Sequence, residues 1–365
     1  MHFYCTDSCI FSIFMLFNIT ILMSNITIKE IAKALGLSVS SISKALNDSY
    51  EISDETKKRV VEYAKLNNYR PNRLAKSLKG GQSNTIGIVV CSINNIFVSQ
   101  ILDGIQKASY ETDYDIVIMQ SNEDVNREKE SIEALLKKGV DGILLAPVSE
   151  NSNTEYLADV NENICPIVLF DRFNLSLKTT KIGVNESKGI MQALQHLIRI
   201  DRKKILFITG DQFGEENSRI NSYKKALKTL DIPFNPKFML SCNLGNNDLI
   251  DQQISESIKN LMKSSIKPNA IFGATDVITI RTLGILAQMK IKVPDEIAVI
   301  GFSNFDMPNS LNPSLSTIRQ PTQEIGFLAL KKLINLLATQ QHKRRALHET
   351  ILLDTSIELR KSTNL

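Results

Sequence analysis

Apolar positions recur along this chain in two rhythms, one before about residue 80 and another after it. The first is helical. In "TIKEIAKALG", Ile28, Ile31, Ala32 and Leu35 fall at i, i+3, i+4 and i+7, one face of a helix. Thr27 followed three residues on by Glu30 predicts a capping box, and Gly36 predicts the helix end. After a very short turn, Ser38 is placed to cap a second helix, with Ile42, Ala45 and Leu46 on its inner side. Ser40, Lys44 and Asn47 point roughly the opposite way, with Ser43 beside them. "ISDETKKRVVEYAKL" predicts a third helix capped by Ser53. Asp54 and Glu55 suit its positive end and Lys65 its other end, and Val60, Val61 and Ala64 form its inner face. Pro71 then interrupts the pattern, and Asn72 is placed to cap a very short helix over 73–79. That helix is unstable alone in water. Its apolar Leu74, Ala75 and Leu78 have little protein to bury against, while Arg73, Lys76 and Lys79 are cations. "GGQS" follows as a flexible joint.

From Thr85 the rhythm becomes an alternation of strand and helix. "TIGIVV", "YDIVIMQS", "DGILLAP" and "CPIVLFDR" read as strands, with helices over 97–112 and in "NREKESIEALLKKG". After Gly183 the pattern restarts with the helix "KGIMQALQHLIRI" and the strand "KKILFITG". The helix "RINSYKKALKTL", the strand "NAIFGA", the helix "ITIRTLGILAQMK" and the strand "EIAVIGF" follow in order. Such alternation predicts parallel sheets covered by helices. Two successive sets predict two lobes with a ligand cleft at the carboxyl ends of the strands.

Composition narrows the options. With 365 residues, two or three domains are expected. The net charge is only +4, so any contact with nucleic acid must come from a local patch. Five cysteines, without a CxxC pair, indicate neither a zinc site nor a disulfide framework and fit a reducing cytosol. The apolar run over 10–23 lacks the preceding positive charge and the small-residue cleavage site of a signal peptide, and is short for a membrane span. Residues 1–22 are therefore read as an extension upstream of a natural start at Met23, with a membrane anchor or uncleaved signal as the alternative. No GxSxG, GxxxxGK[ST] or HExxH occurs, nor a GxGxxG after the first strand, and four histidines supply a metal or general-base cluster thinly. No cofactor and no catalytic activity are expected.

Two short helices around a tight turn make a helix-turn-helix. The second must enter the DNA major groove, and short hydroxyls let its backbone approach while Lys44 reaches base edges or phosphate. A solvated polar face explains such a pattern taken alone; the segment after it favours DNA. The run from Thr27 to Leu78 resembles the headpiece and hinge of the LacI/GalR family of transcriptional regulators. "TIKEIAKALGLSVSSISKALN", "ISDETKKRV" and "NYRPNRLAKSL" occur in order and at the family's spacing. The resemblance implies that Val39, Ser40 and Lys44 read bases, and that Ser38 and Ser41 mainly hold phosphates. It places Leu78 as a minor-groove wedge, beside the hinge residues Asn72, Arg73, Lys76 and Lys79.

The resemblance extends over the remainder, implying a periplasmic-binding-protein-like effector domain. The fold class expected is thus an all-α helix-turn-helix headpiece plus an α/β effector domain of two lobes, each a parallel sheet flanked by helices. Its divisions are the headpiece at 23–70, the hinge helix and linker at 71–84, and the effector-binding and dimerisation domain at 85–365. By the same resemblance Phe97, Asp171, Arg219, Asp276, Ser303 and Gln320 line the ligand site. For Phe97 a core aromatic is the competing reading; for Asp171 and Arg219 a structural salt bridge is. Arg219 facing Asp171 across a cleft would suit a polyol. "GFSN" departs from the family, most of whose members carry two aspartates after Gly-Phe or Gly-Tyr, so the ligand cannot be copied from them. After the "RKST" ending no leucine-heptad tail follows, and a homodimer is expected.

The implied function is a cytoplasmic repressor that binds a palindromic double-stranded operator under control of a small effector, a sugar or sugar derivative, without a membrane role. The rival is a sugar-binding receptor of the same two-lobed fold with no DNA role. Truncation at Gly80 separates them: a receptor keeps all its activity, whereas a regulator keeps ligand binding and loses DNA binding.

Overall fold

The computed structural model describes residues 26–69, 82–149, 153–172, 176–210, 218–244 and 247–364. These fall into two compact units that divide between Ser83 and Asn84. The expected extension over 1–22 and hinge helix over 73–79 lie outside the described residues, and with them Asn72, Arg73, Lys76, Leu78 and Lys79.

The first unit holds three helices, α1 (Ile28–Leu35), α2 (Val39–Leu46) and α3 (Asp54–Leu66). Each begins as its residues dictate. The Thr27 hydroxyl accepts from the Glu30 amide, and the Glu30 carboxylate accepts from the Thr27 amide at 2.7 Å, closing the capping box. Gly36 leaves α1 with a φ of 64°, a conformation that costs a side chain energy. Ser38 and Ser53 cap α2 and α3 through the amides of Ser41 and Thr56. Ile31, Ala32, Ile42, Ala45, Val60 and Ala64 make the core. Val61 does not join it: at 36% exposure it lies one residue, about 100° of helix, off the Val60–Ala64 stripe.

Thr27→Ala is expected to cost about 1 kcal/mol of headpiece stability. The Thr27 amide and hydroxyl hold the Glu30 carboxyl below its ordinary value of 4.5. A depressed acid stabilises the fold above its unfolded value and loses that contribution as pH falls through its folded value. The gap between wild type and variant should therefore shrink as pH drops below 4.5. The residue 27 amide still serves Glu30 in the variant, so only the hydroxyl's share is lost; circular-dichroism melts at neutral and acid pH measure it, and an unchanged gap contradicts the bond from the Thr27 hydroxyl to Glu30.

The second unit holds two six-stranded sheets. The first lobe runs β1 (Thr85–Val90), α4 (Ile96–Ser109), β2 (Asp115–Gln120), α5 (Val125–Lys137), β3 (Gly142–Leu145), α6 (Thr154–Asp159), β4 (Ile167–Phe170) and β5 (Lys181–Asn185). The second runs α7 (Glu186–Arg199), β6 (Ile205–Gly210), α8 (Ser218–Thr229), β7 (Met239–Cys242), α9 (Asn247–Lys263), β8 (Ala270–Gly273), α10 (Asp276–Gln288), β9 (Ala298–Phe302) and β10 (Ser316–Arg319). The chain then returns to the first lobe with α11 (Thr322–Ala338), passes the short α12 (Gln341–Arg344), and adds β11 (Thr350–Asp354) to the first sheet and β12 (Ser356–Glu358) to the second.

The sheet orders are β11-β5-β4-β3-β1-β2 and β12-β10-β9-β8-β6-β7. Within each, five strands follow the doubly wound order 2-1-3-4-5. Every pair is parallel except β10 with β12. The second set does restart after Gly183, with α7, but β5 was not expected: Gly183 lies inside it, in a further strand of the first sheet. "ILLDTSIE" forms two strands, split at Thr355 between the sheets. Three chain segments thus cross between the lobes, which a reading of two successive halves could not produce.

Each sheet buries both faces. In the first lobe α4 and α11 cover one face, with Phe97, Ile101, Ile105, Ile325, Leu330 and Leu333 in that core, while α5 and Leu157 of α6 cover the other. In the second, α7 and α8 cover one face and α9 and α10 the other. Among the described residues no helix is long and apolar enough to cross a membrane.

Candidate functional site

On the first unit the candidate surface is the outer side of α2. Ile42 and Ala45 hold its inner side in the core, which turns Val39, Ser40 and Asn47 outward. Val39 is 41% exposed, a branched apolar side chain at the surface where a thymine methyl would be its natural contact. The hydroxyls of Ser38 and Ser41 hydrogen-bond each other at 2.9 Å at the helix start. Asn47 turns back to donate to the Ser43 carbonyl at 2.8 Å, so it serves the helix end. Lys44, the only charged residue of α2, meets the carboxylate of Glu51 from the following loop. Sequence reasoning passed over Glu51, because an acid in a polar loop carries no periodic signal.

On the second unit the candidate site is the cleft at the carboxyl ends of the two sheets. Arg219, in the first turn of α8, is its centre. Its Nε donates to Glu186 at 2.5 Å, one terminal nitrogen donates to the Ala274 carbonyl, and the other to Gln320 Oε1 at 3.2 Å. Its guanidinium carbon lies 4.2 Å from the ring centroid of Phe302, a cation–π stack. Glu186 opens α7 and also accepts from the Ser218 hydroxyl. The expected Arg219–Asp171 pairing therefore takes a different form: the direct partner is Glu186. A carboxylate at a helix start is ordinary, which hid it.

Asp171 follows β4 with a φ of 65°. Burial pushes its carboxyl above the ordinary value; Arg172 and Arg219 oppose that shift, while Glu186 and Glu123 add to it. Arg172 beside it clasps Glu123 with two bonds of 2.6 and 2.7 Å and donates to the Val148 carbonyl at 2.8 Å. Asp276 opens α10 behind its cap Thr275. Burial raises its carboxyl too, against hydrogen bonds from the Asn304 amide and the Ser303 hydroxyl and the charge of Arg219. Asp171, Glu186, Arg219 and Asp276 thus form one electrostatic group fed by both lobes.

The remaining expected residues are buried. Ser303 is fully buried, and its hydroxyl serves Asp276 and accepts from the Phe305 amide. Gln320 is buried and meets Arg219. Phe97 packs in the first-lobe core at the start of α4. Unforeseen is Asn304, which ties the lobe crossover together. Its Nδ2 donates to the Gln320 carbonyl at 2.8 Å and to Gln100 Oε1 at 3.1 Å, and its Oδ1 accepts from the Gln320 amide at 3.0 Å. Gln100, on α4 of the first lobe, in turn donates to the Asn304 carbonyl at 3.0 Å and to Asp306 at 2.8 Å.

Comparison with known proteins bears on both units. Residues 27–72 match the family model "Bacterial regulatory proteins, lacI family", and residues 194–363 match "Periplasmic binding protein-like domain". The chain is 28% identical over 338 residues to the ribose operon repressor of Haemophilus influenzae, covering 92% of this chain and 98% of that protein. It is 26% identical to catabolite control protein A of Priestia megaterium, covering 93% of this chain and 99% of the relative. The fold matches a lac repressor dimer bound to operator and the anti-inducer ONPF with a TM-score of 0.82 at 21% identity, covering 93% of this chain and 99% of that one. It also matches a complex of the transcriptional regulator CelR with cellobiose, with a TM-score of 0.66 at 22% identity, covering 93% and 100%. A helix-turn-helix with an outward polar face, a two-lobed α/β unit of doubly wound sheets, and relatives matched along nearly their whole length converge on one assignment: the chain belongs to the LacI/GalR family of DNA-binding transcriptional regulators.

Proposed function

We propose that this regulator is a repressor that binds a near-palindromic operator as a homodimer and is controlled by a sugar or sugar derivative held in the cleft. The observation that carries the reading is Arg219, stacked on Phe302 and held by Glu186, with two further half-buried carboxyl groups, Asp171 and Asp276, within reach of its charge. Charged groups fixed in this way make strong, directional hydrogen bonds, which is what discrimination among hydroxyl-bearing ligands needs. Relatives whose names concern ribose and cellobiose support the same ligand class. On the DNA side Val39, Ser40 and Lys44 read bases, Ser38 and Ser41 hold phosphates, and Asn72, Arg73, Lys76, Leu78 and Lys79 belong to the hinge. Two-fold symmetry of the dimer is mirrored in the operator. The ligand acts by binding the DNA-competent and incompetent arrangements of the lobes with different affinities; equal affinity would shift nothing.

The test is fluorescence anisotropy on duplexes from the gene's own neighbourhood and on random duplexes, across a salt series, with and without a panel of sugars. One palindrome should be preferred, with a steep salt dependence, and one sugar should change its affinity. Arg219→Ala should remove the sugar response while leaving the salt slope on DNA in place. A variant that responds to the sugar normally would overturn the cleft assignment; a wild type that prefers no duplex would overturn the repressor reading.

A further inference from the structure

Lys44 is the only cation of α2, yet its ammonium is held by Glu51. The two side chains are 43% and 46% exposed, so the pair sits at the surface and does not prop the core. Glu51 reaches it from an anchored turn. The Ser49 amide donates to the Lys44 carbonyl at 3.0 Å, the Glu51 amide to the Ser49 hydroxyl at 3.4 Å, and Ile52 packs against the headpiece core. The loop thus returns to the carboxyl end of α2 and presents a carboxylate beside its lysine. Wherever Lys44 meets DNA, Glu51 arrives with it.

An exposed ion pair adds little to folding, so stability is a weak reason to place an acid there. On DNA an acid has a clear drawback, since it repels phosphate and cancels the attraction of Lys44. Base chemistry supplies the compensating role. A lysine donates to guanine O6 and N7, whereas a carboxylate accepts from the cytosine N4 amino group and has no donor for thymine O4 or the guanine acceptors. Resting on the DNA-binding reading above, we infer that Lys44 and Glu51 form one base-reading unit for a G·C pair or two adjacent G/C positions in each half-site. Glu51 supplies specificity and lowers affinity for unrelated DNA.

Selection from a randomised duplex library, followed by anisotropy, tests this with wild type, Glu51→Gln, Glu51→Ala and Lys44→Met. Wild type should discriminate on the order of tenfold or more at one base position per half-site. Both Glu51 variants should lose that discrimination, bind random DNA more tightly, and show a salt slope steeper by about one charge as Lys44 is released to phosphate. Lys44→Met should lose discrimination at the same position. The inference is overturned if the Glu51 variants keep every base preference of the wild type, even with a steeper salt slope; Glu51 would then only repel phosphate. If the wild type selects no sequence, the DNA-binding reading itself has failed, and that outcome is visible before any variant is made.

Discussion

Gly326→Ala is expected to destabilise the two-lobed unit by at least about 3 kcal/mol, the upper end of what overpacking costs. A β-carbon at Gly326 would lie 2.0 Å from the Ile101 carbonyl oxygen and 2.8 Å from the Ile105 amide nitrogen. The relation is reciprocal, because a β-carbon at Gly104 would lie 2.1 Å from the Gln323 carbonyl oxygen. α4 and α11 therefore cross backbone to backbone, each glycine against a turn of the other helix. The atoms in the way are main chain inside helices and cannot move aside as a side-chain tip would. Gly284→Ala is the matched opposite. It also lies within a helix, α10, but nothing stands within 4 Å of its added carbon. There the variant should gain about 0.5–1 kcal/mol from helix propensity alone. Urea unfolding followed by circular dichroism distinguishes the two, since one substitution type moves the midpoint in opposite directions. An unchanged midpoint for Gly326→Ala would mean the helices are not in backbone contact.

That crossing also shows where the sequence stops speaking. The headpiece was legible because its signals are local: Thr27 with Glu30, Gly36, Ser38 and Ser53 each act within one helical turn, and the structure realises all of them. The β/α alternation was legible for the same reason. β5 was not, because "KIGVN" is five residues long with a glycine inside and gives too little alternation to oppose a loop. The return of α11 to the first lobe and the split of "ILLDTSIE" between two sheets are decided by partners far away in the chain, with only Thr355 between the two strands to mark the change. In the cleft, Asp171, Arg219 and Asp276 were reached through the family resemblance, which matches them to positions at strand and helix ends. Glu186 and Gln100 were not, since each looks ordinary in its own helix and gains meaning only from a partner on another element.

Asn304→Asp carries this argument furthest. By family resemblance aspartates are expected at 303 and 304, yet Asn304 is 1% exposed and its two ends are assigned without ambiguity. The Gln320 amide can only donate, so it fixes Oδ1; the Gln320 carbonyl can only accept, so it fixes Nδ2. An ionised aspartate would set an oxygen against the Gln320 carbonyl, with no donor between them. It would also bring a charge close to Asp276, whose Oδ1 already lies 2.5 Å from the residue 304 amide and whose carboxyl burial has already pushed up. The expected cost at neutral pH is several kcal/mol, on the order of that for a buried unpaired charge. Its pH dependence has a definite sign. Burial and Asp276 would raise the folded-state value of the new acid above its unfolded value of about 4, so the penalty is absent below that value. It grows as pH rises through the folded-state value and is constant above it. The stability gap between variant and wild type should therefore be widest near neutrality and close toward pH ~4. Urea midpoints at several pH values measure it, and a variant as stable as wild type near neutrality would refute the assignment. Because Asn304 also holds Gln100 of the other lobe, the same charge should loosen the lobe crossover, and under the proposed ligand control a change in ligand response should accompany the loss of stability.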